Sequence, residues 1–141
     1  MDQIKVFLDS DVLVSALLSK TGASFEIVKN AKIVKVISKT IEEEIHTVAS
    51  RLDIAFPIQD LLQETETITL NLEKARLSQK YIPYVLDIED SHVVAGAQKA
   101  GVTFLLTHNI KHYHLAKIKN DLDINVMKPG TFLQYFRTRK Q

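Results

Sequence analysis

The sequence contains no cysteine, which excludes disulfides, zinc–thiolate sites and cysteine nucleophiles together. Glycine and proline are scarce, 4 and 3 in 141 residues. No low-complexity tract or internal repeat is visible, so flexible linkers and solenoids are not expected. No apolar run reaches the roughly 18 residues of a membrane span. The opening Met1-Asp2-Gln3 leads straight into strand-like sequence, without the basic-then-apolar layout of a secretory signal. The expectation from these absences is a cytoplasmic protein with no membrane attachment. An excess of one charge is also missing. The net charge is +1, so charge alone does not announce a nucleic-acid partner. Basic residues do gather at Lys29-Asn30-Ala31-Lys32, from Lys111 to Lys119, and in Arg137-Thr138-Arg139-Lys140, a pattern that ordinary solvated surface also produces.

What is present is globular. Hydrophobic residues make up 45% and charged residues 25% of the chain, ordinary values for a folded domain. The length fits a single domain over residues 1–141 with one core. Apolar runs at Ile4–Leu8, Ile33–Ile37, Val102–Thr107 and Ile124–Met127 read as buried strands. Between them lie helical patterns. Val12–Leu18 closes at a glycine-bearing stop, and Ser24 is placed to cap Phe25–Ala31. A third helix begins at Ser38 or Thr40 and runs to about Leu52, with Thr40 and Glu43 at capping-box spacing. The stretch from Asp53 to Val85 is less legible: a helix from Pro57, a short strand over Glu66–Leu70 and a helix over Leu72–Lys80. Asp87–Ala100 then reads as a helix stopped by Gly101, and Pro129-Gly130 leads into a last helix, Thr131–Phe136. Strands alternating with helices predict an α/β fold, a central parallel sheet covered on both faces in three α/β/α layers. Ligands of such sheets sit at the carboxyl ends of the strands.

Acidic residues fall at that edge. Asp9 directly follows the first strand, where a half-desolvated carboxylate needs a partner, although it can equally cap the next helix; Asp11 is the better placed cap of the two. In Glu42-Glu43-Glu44, helix geometry at about 100° per residue separates the three. Ile41, Ile45, Val48 and Leu52 form the expected buried stripe, Glu43 points away from it, and Glu44 and Glu42 flank it. Either flank can face a cleft, or all three simply favour the helix dipole. Asp90 lies on the packing face with Val93, Val94, Ala97 and Gly101, and Asp87 lies beside it one turn earlier. A carboxylate on such a face implies a partner such as a cation. Thr107 and Asn109 add oxygen donors after the third of these strands. His108, His112 and His114 lack the spacing of a helical metal pair and read as solvated or RNA-facing. Three carboxylates and an amide converging on one sheet edge make an oxygen-rich set suited to Mg²⁺ or Mn²⁺.

The order of these motifs resembles the PIN-domain ribonucleases, particularly toxin components of toxin–antitoxin pairs. Leu8-Asp9-Ser10-Asp11-Val12-Leu13-Val14-Ser15-Ala16-Leu17 is similar to the family's opening strand-Asp-x-Asn motif. Ser38 through Glu44 resembles its Ser-x5-Glu helix, Asp87 through Ala97 its Asp-x-x-Asp helix, Leu105 through Asn109 its Leu-x-Thr-x-Asp/Asn strand end, and Pro129 through Leu133 its closing motif. The segment from Asp53 to Leu86 lies outside the resemblance. Two departures stand out: Asp11 replaces the commoner Asn, and Asn109 stands where many members carry an acid. The resemblance implies a Mg²⁺- or Mn²⁺-dependent endoribonuclease with Asp9, Glu44, Asp90 and Asn109 as catalytic and metal-holding residues. Asp11, Ser38, Asp87 and Thr107 would support them, and Lys111, Lys117 and Lys119 would hold RNA phosphates. It further implies products with 5′-phosphate and 3′-hydroxyl ends, an antitoxin partner and a homodimer. Two other readings compete. Asp9-Ser10-Asp11 has the Asp-x-Asp layout of a haloacid-dehalogenase-type phosphatase, but Leu13 and the absence of a later Asp pair after a strand count against it. The other is a PIN-like module that binds RNA or protein without catalysis.

Overall fold

The computed structural model describes residues 3–54 and 58–139. The N-terminal Met1-Asp2, the expected helix start at Pro57 and the last basic residue of the tail, Lys140, lie outside them. The five strands are β1 (Ile4–Leu8), β2 (Ile33–Ser38), β3 (Thr65–Ile68), β4 (Phe104–Leu106) and β5 (Asn125–Met127). The helices are α1 (Ser10–Leu18), α2 (Ala23–Lys29), α3 (Lys39–Leu52), α4 (Ile58–Leu62), α5 (Lys74–Tyr81), α6 (Ser91–Ala100), α7 (Leu115–Leu122) and α8 (Pro129–Thr138).

The strands form one sheet in the order β3-β2-β1-β4-β5. Every pairing is parallel, as expected from strands alternating with helices. β1 is central, with Phe7 beside Val36 of β2 and Leu105 of β4. The chain winds outward from β1 to β2 and β3, then returns to the other side of β1 for β4 and β5. Right-handed crossovers therefore place the helices before β3 and those after it on opposite faces, giving three layers. Their packing agrees: α1 meets α2 and α3, α5 meets α6, and α6 lies against β1, β2 and β4. The reversal creates a switch point between β1 and β4, where the connections leave in opposite directions and open a crevice at the strands' carboxyl ends.

The core is aliphatic, with Val6, Phe7, Leu8, Leu105 and Leu106 all buried. Gly96 of α6 sits where an added Cβ would meet the Phe7 ring at 2.3 Å. The helix thus approaches the central strand as closely as a side-chain-free residue permits. Among the described residues, no helix is long and apolar enough to cross a membrane.

Several local expectations are corrected. Asp9, not Asp11, caps α1, accepting a hydrogen bond from the Ser10 amide. Ser38 caps α3 through the Ile41 amide, so Thr40 and Glu43 form no capping box. The buried stripe of α3 is Ile41, Ile45 and Ala49, an i, i+4, i+8 row, while Leu52 is exposed. Ser24 lies inside α2, whose cap is Gly22. The expected helix over Asp87–Ala100 is two pieces, a 3₁₀ turn at Ile88–Asp90 and then α6.

Candidate active site

Asp9 stands at the switch point, one residue beyond β1, and its amide continues the sheet by donating to the Leu106 carbonyl at 3.0 Å. Only 8% of the residue is exposed. Both carboxylate oxygens are engaged: Oδ1 accepts from the Ser10 amide at 2.7 Å, and Oδ2 accepts from the Thr107 hydroxyl at 2.9 Å and the Tyr113 hydroxyl at 3.0 Å. Charge-assisted bonds from three directions fix the rotamer. Thr107 directly follows β4, so the pairing of β1 with β4 itself brings these groups together.

Asp11, in the first turn of α1, reaches across the same crevice. Its carboxylate accepts from the His108 amide at 3.2 Å, from the Thr107 hydroxyl at 3.1 Å and from Asn109 Nδ2 at 2.9 Å. Thr107 thus contacts two carboxylates with one hydroxyl proton. It donates to one at a time, and the other contact calls for a proton or a cation. Burial first, and the charge of Asp9 second, raise the Asp11 carboxyl above its ordinary range; the His108 amide and Thr107 oppose them. His108 is braced in turn, its Nε2 lying 3.2 Å from the Ser24 hydroxyl.

Asp90 ends the 3₁₀ turn that enters α6. Burial and then the charge of Asp9 raise its carboxyl as well, and the nearby His112 opposes the shift. His112 Nδ1 lies 3.3 Å from Asp90 Oδ2. A short antiparallel bridge explains this placement. Val85 pairs with Tyr113, the Leu86 amide donates to His112 and the His114 amide to Tyr84. The segment after β4 is thereby tied to the segment before Asp87, and both are drawn toward the end of β1. Asp87 serves locally, accepting the Glu89 amide at 3.0 Å.

Glu44 is half-exposed on the flank of α3, and its carboxylate is taken by His92 Nε2 at 3.3 Å. A cavity of about 320 Å³ opens beside this pair, walled by Leu70, Leu72, Leu77 and Ile88. The remaining expected residues divide. Ser38 works through the backbone as the α3 cap. Lys117 and Lys119 form ion pairs along α7 with Asp121 and Asp123, and Lys111 lies exposed in the 3₁₀ turn Ile110–His112.

The donors match a hard divalent cation in kind, being oxygen atoms of carboxylates that raise one another's pKa. Their arrangement is open. Among the described residues, no three acidic or imidazole side chains gather closely enough to hold one ion, since Glu44 and Asp90 are turned to His92 and His112. Closing the set takes rotation of those two side chains; Asp9 already points inward.

Tyr113 was not legible as a site residue. It lies in a His- and Lys-rich stretch with no periodicity, and only the pairing with Val85 delivers its hydroxyl to Asp9. Burial, then the charges of Asp9 and Asp90, raise its phenol far above the ordinary value, so it remains a neutral donor. His92 and His112 became informative only through their partners.

No curated protein sequence matches the chain significantly. Solved structures do share the fold. A toxin–antitoxin complex from Klebsiella pneumoniae aligns with TM-score 0.63 and 18% identity, over 88% of this chain and 97% of that one. VapBC2 from Rickettsia felis, bound to a DNA fragment from its promoter, aligns with TM-score 0.61 and 14% identity, over 87% and 97%. PAE2754 from Pyrobaculum aerophilum aligns with TM-score 0.63 and 14% identity, over 96% and 91%. A family model described as PIN domain matches residues 5–111, a span that includes Asp9, Glu44, Asp90 and Asn109 and exceeds half the chain. With its parallel sheet and its acidic residues at the β1–β4 switch point, the chain belongs to the PIN-domain family.

Proposed function

We propose that the protein is a divalent-metal-dependent endoribonuclease, the toxin component of a toxin–antitoxin pair, with Asp9, Glu44, Asp90 and Asn109 as catalytic residues. The observation that carries this reading is the state of Asp9. It is a buried carboxylate locked at the switch point by three donors, with its charge pressing on both Asp11 and Asp90. Such crowding is destabilising by itself and is relieved by a cation.

Mg²⁺ or Mn²⁺, when bound, supplies Lewis acidity that lowers the pKa of water and offsets charge on the phosphodiester. Asp9 offers the fixed oxygen ligand. Glu44 and Asp90 face it from α3 and the start of α6 and supply further oxygens once released from their histidines. Asn109 contributes through its amide, and Thr107, Ser38 and Asp87 hold the frame. The apolar walls of the cavity beside Glu44 suit the face of an unstacked base. Lys111 lies nearest in sequence to the site; Lys117 and Lys119 share their charge with neighbouring acids and would hold phosphates less strongly. Products would carry 5′-phosphate and 3′-hydroxyl ends. An antitoxin would cover the crevice, and a homodimer would set two crevices side by side. The likeness to the two toxin–antitoxin complexes supports this partner class.

The open arrangement of the carboxylates favours one alternative, a PIN module that binds RNA or protein without cleaving. The phosphatase reading has the geometry against it, because both oxygens of Asp9 are occupied and neither is free to attack. The deciding experiment is cleavage of single-stranded RNA with Mg²⁺ or Mn²⁺. Activity is expected, with a fall of about 10²-fold or more on Asp90→Asn and abolition by EDTA. Cleavage indifferent to both would sink the proposal. Folded protein that binds RNA but leaves it intact would install the alternative.

A further inference from the structure

Asp11 and Asn109 are the two positions at which the chain departs from the family's motif, and the fold puts them in direct contact. Asn109 Nδ2 donates to Asp11 Oδ2 at 2.9 Å across the β1–β4 crevice. A carboxylate and a carboxamide have nearly the same shape and differ in charge and in which atom carries the hydrogens. One of each, face to face, makes the same hydrogen bond whichever side carries the charge. Two acids would repel at this distance, and two amides would lack the charge.

The surroundings single out Asp11 as the charged member. Its oxygens collect the His108 amide and the Thr107 hydroxyl as well as Asn109. Thr107 joins Asp11 to Asp9, because the same hydroxyl lies 2.9 Å from Asp9 Oδ2. The Asp11 charge is therefore part of the same local field as Asp9, one hydroxyl away.

We propose that Asp11 supplies the negative charge that position 109 lacks, so that Asp11 and Asn109 form one charge-exchanged unit of the acidic site. This rests on the metal-site reading above and extends it: the site keeps four negative charges, from Asp9, Asp11, Glu44 and Asp90, although Asn109 is neutral. Asn109 is then a positioning residue that orients Asp11 by its amide.

The test is Mn²⁺ titration of the full chain by calorimetry, with thermal unfolding in EDTA and in Mn²⁺. Four proteins are compared: the parent, Asp11→Asn, Asn109→Asp and the double exchange. Asp11→Asn is expected to weaken Mn²⁺ binding by roughly 10–100-fold, and the double exchange to recover most of that loss. Asn109→Asp alone should unfold at lower temperature in EDTA and gain more from Mn²⁺ than the parent does. Parent protein that binds no Mn²⁺ overturns the metal-site reading and this inference with it. A binding parent with unchanged affinity in Asp11→Asn, or with no recovery in the double exchange, overturns this inference alone. If Asp11→Asn does not fold, Asn109→Asp decides: stronger Mn²⁺ binding supports the unit, and unchanged binding overturns it.

Discussion

Burial and the charge of Asp9 both push the Asp90 carboxyl above its ordinary value of 3.8, and His112 opposes them. Because the folded-state pKa lies above the unfolded one, the native state holds more protons than the unfolded state between the two values. Stability then falls as pH rises through that window, and at neutral pH the full penalty of the charged form is present. Without metal, Asp90→Asn removes this penalty, so the variant should be more stable than the parent at pH 7 while losing activity. A gain of about 0.5–1 kcal/mol is expected. This is the low end of the usual range, because a quarter of the side chain, 26%, is exposed and water screens it. Thermal unfolding in EDTA at a series of pH values checks the sign. The advantage should shrink as pH falls through the window, and an Asn variant less stable than the parent at pH 7 would refute it. Asp90 was readable in the sequence because a carboxylate among Val93, Val94 and Ala97 is out of place. Tyr113 was not, since its role depends on a contact made 104 residues away.

At the scale of elements, the strands were legible because each is a short run of branched or aromatic residues buried on both faces, as a parallel sheet demands. The junctions were less so. The wheel drawn through Asp90 treated it as helical, whereas it sits at φ −86° and ψ −1° as the cap of α6. It still reaches the site because the 3₁₀ turn turns into the same crevice. The stretch from Asp53 to Val85 was obscure for a physical reason: β3 is an edge strand with no fully buried residue, so the alternation that marks a half-buried strand is faint. The tightest joint between elements is α6 on β1. A methyl group at Gly96 would lie 2.3 and 2.8 Å from two atoms of the Phe7 ring, and that ring is fully enclosed. Gly96→Ala should therefore cost about 1–3 kcal/mol through overpacking, despite the better helix propensity of alanine. Adding Phe7→Leu should return part of it. Urea unfolding measures both, and a stabilised Gly96→Ala variant would show that α6 packs less closely than described here.

Across the whole molecule, the family match ends at residue 111, yet the chain beyond it is not an appendage. It contributes Tyr113 to the site, β5 to the sheet edge and α8 to the core. Phe132, Leu133 and Phe136 of α8 are buried, and the Phe132 ring meets Phe104 of β4 edge-on with centroids 5.2 Å apart. α8 also packs on α2, where Arg137 makes a two-pronged contact with Glu26 at 2.7 and 2.9 Å. The exposed ion pair is worth about 0–1 kcal/mol. The three apolar side chains contribute about 1.5–3 kcal/mol each, a sum comparable to the whole stability of a domain, about 5–15 kcal/mol. Shortening the chain to end at Met127 should therefore abolish cooperative folding, while Arg137→Ala in the full chain should shift the unfolding temperature by no more than about 4 °C. Circular dichroism melts and limited proteolysis separate the two. A shortened chain that still melts sharply near the parent's temperature would mean that the sheet and its first seven helices are self-sufficient, with α8 serving some purpose other than completing the core.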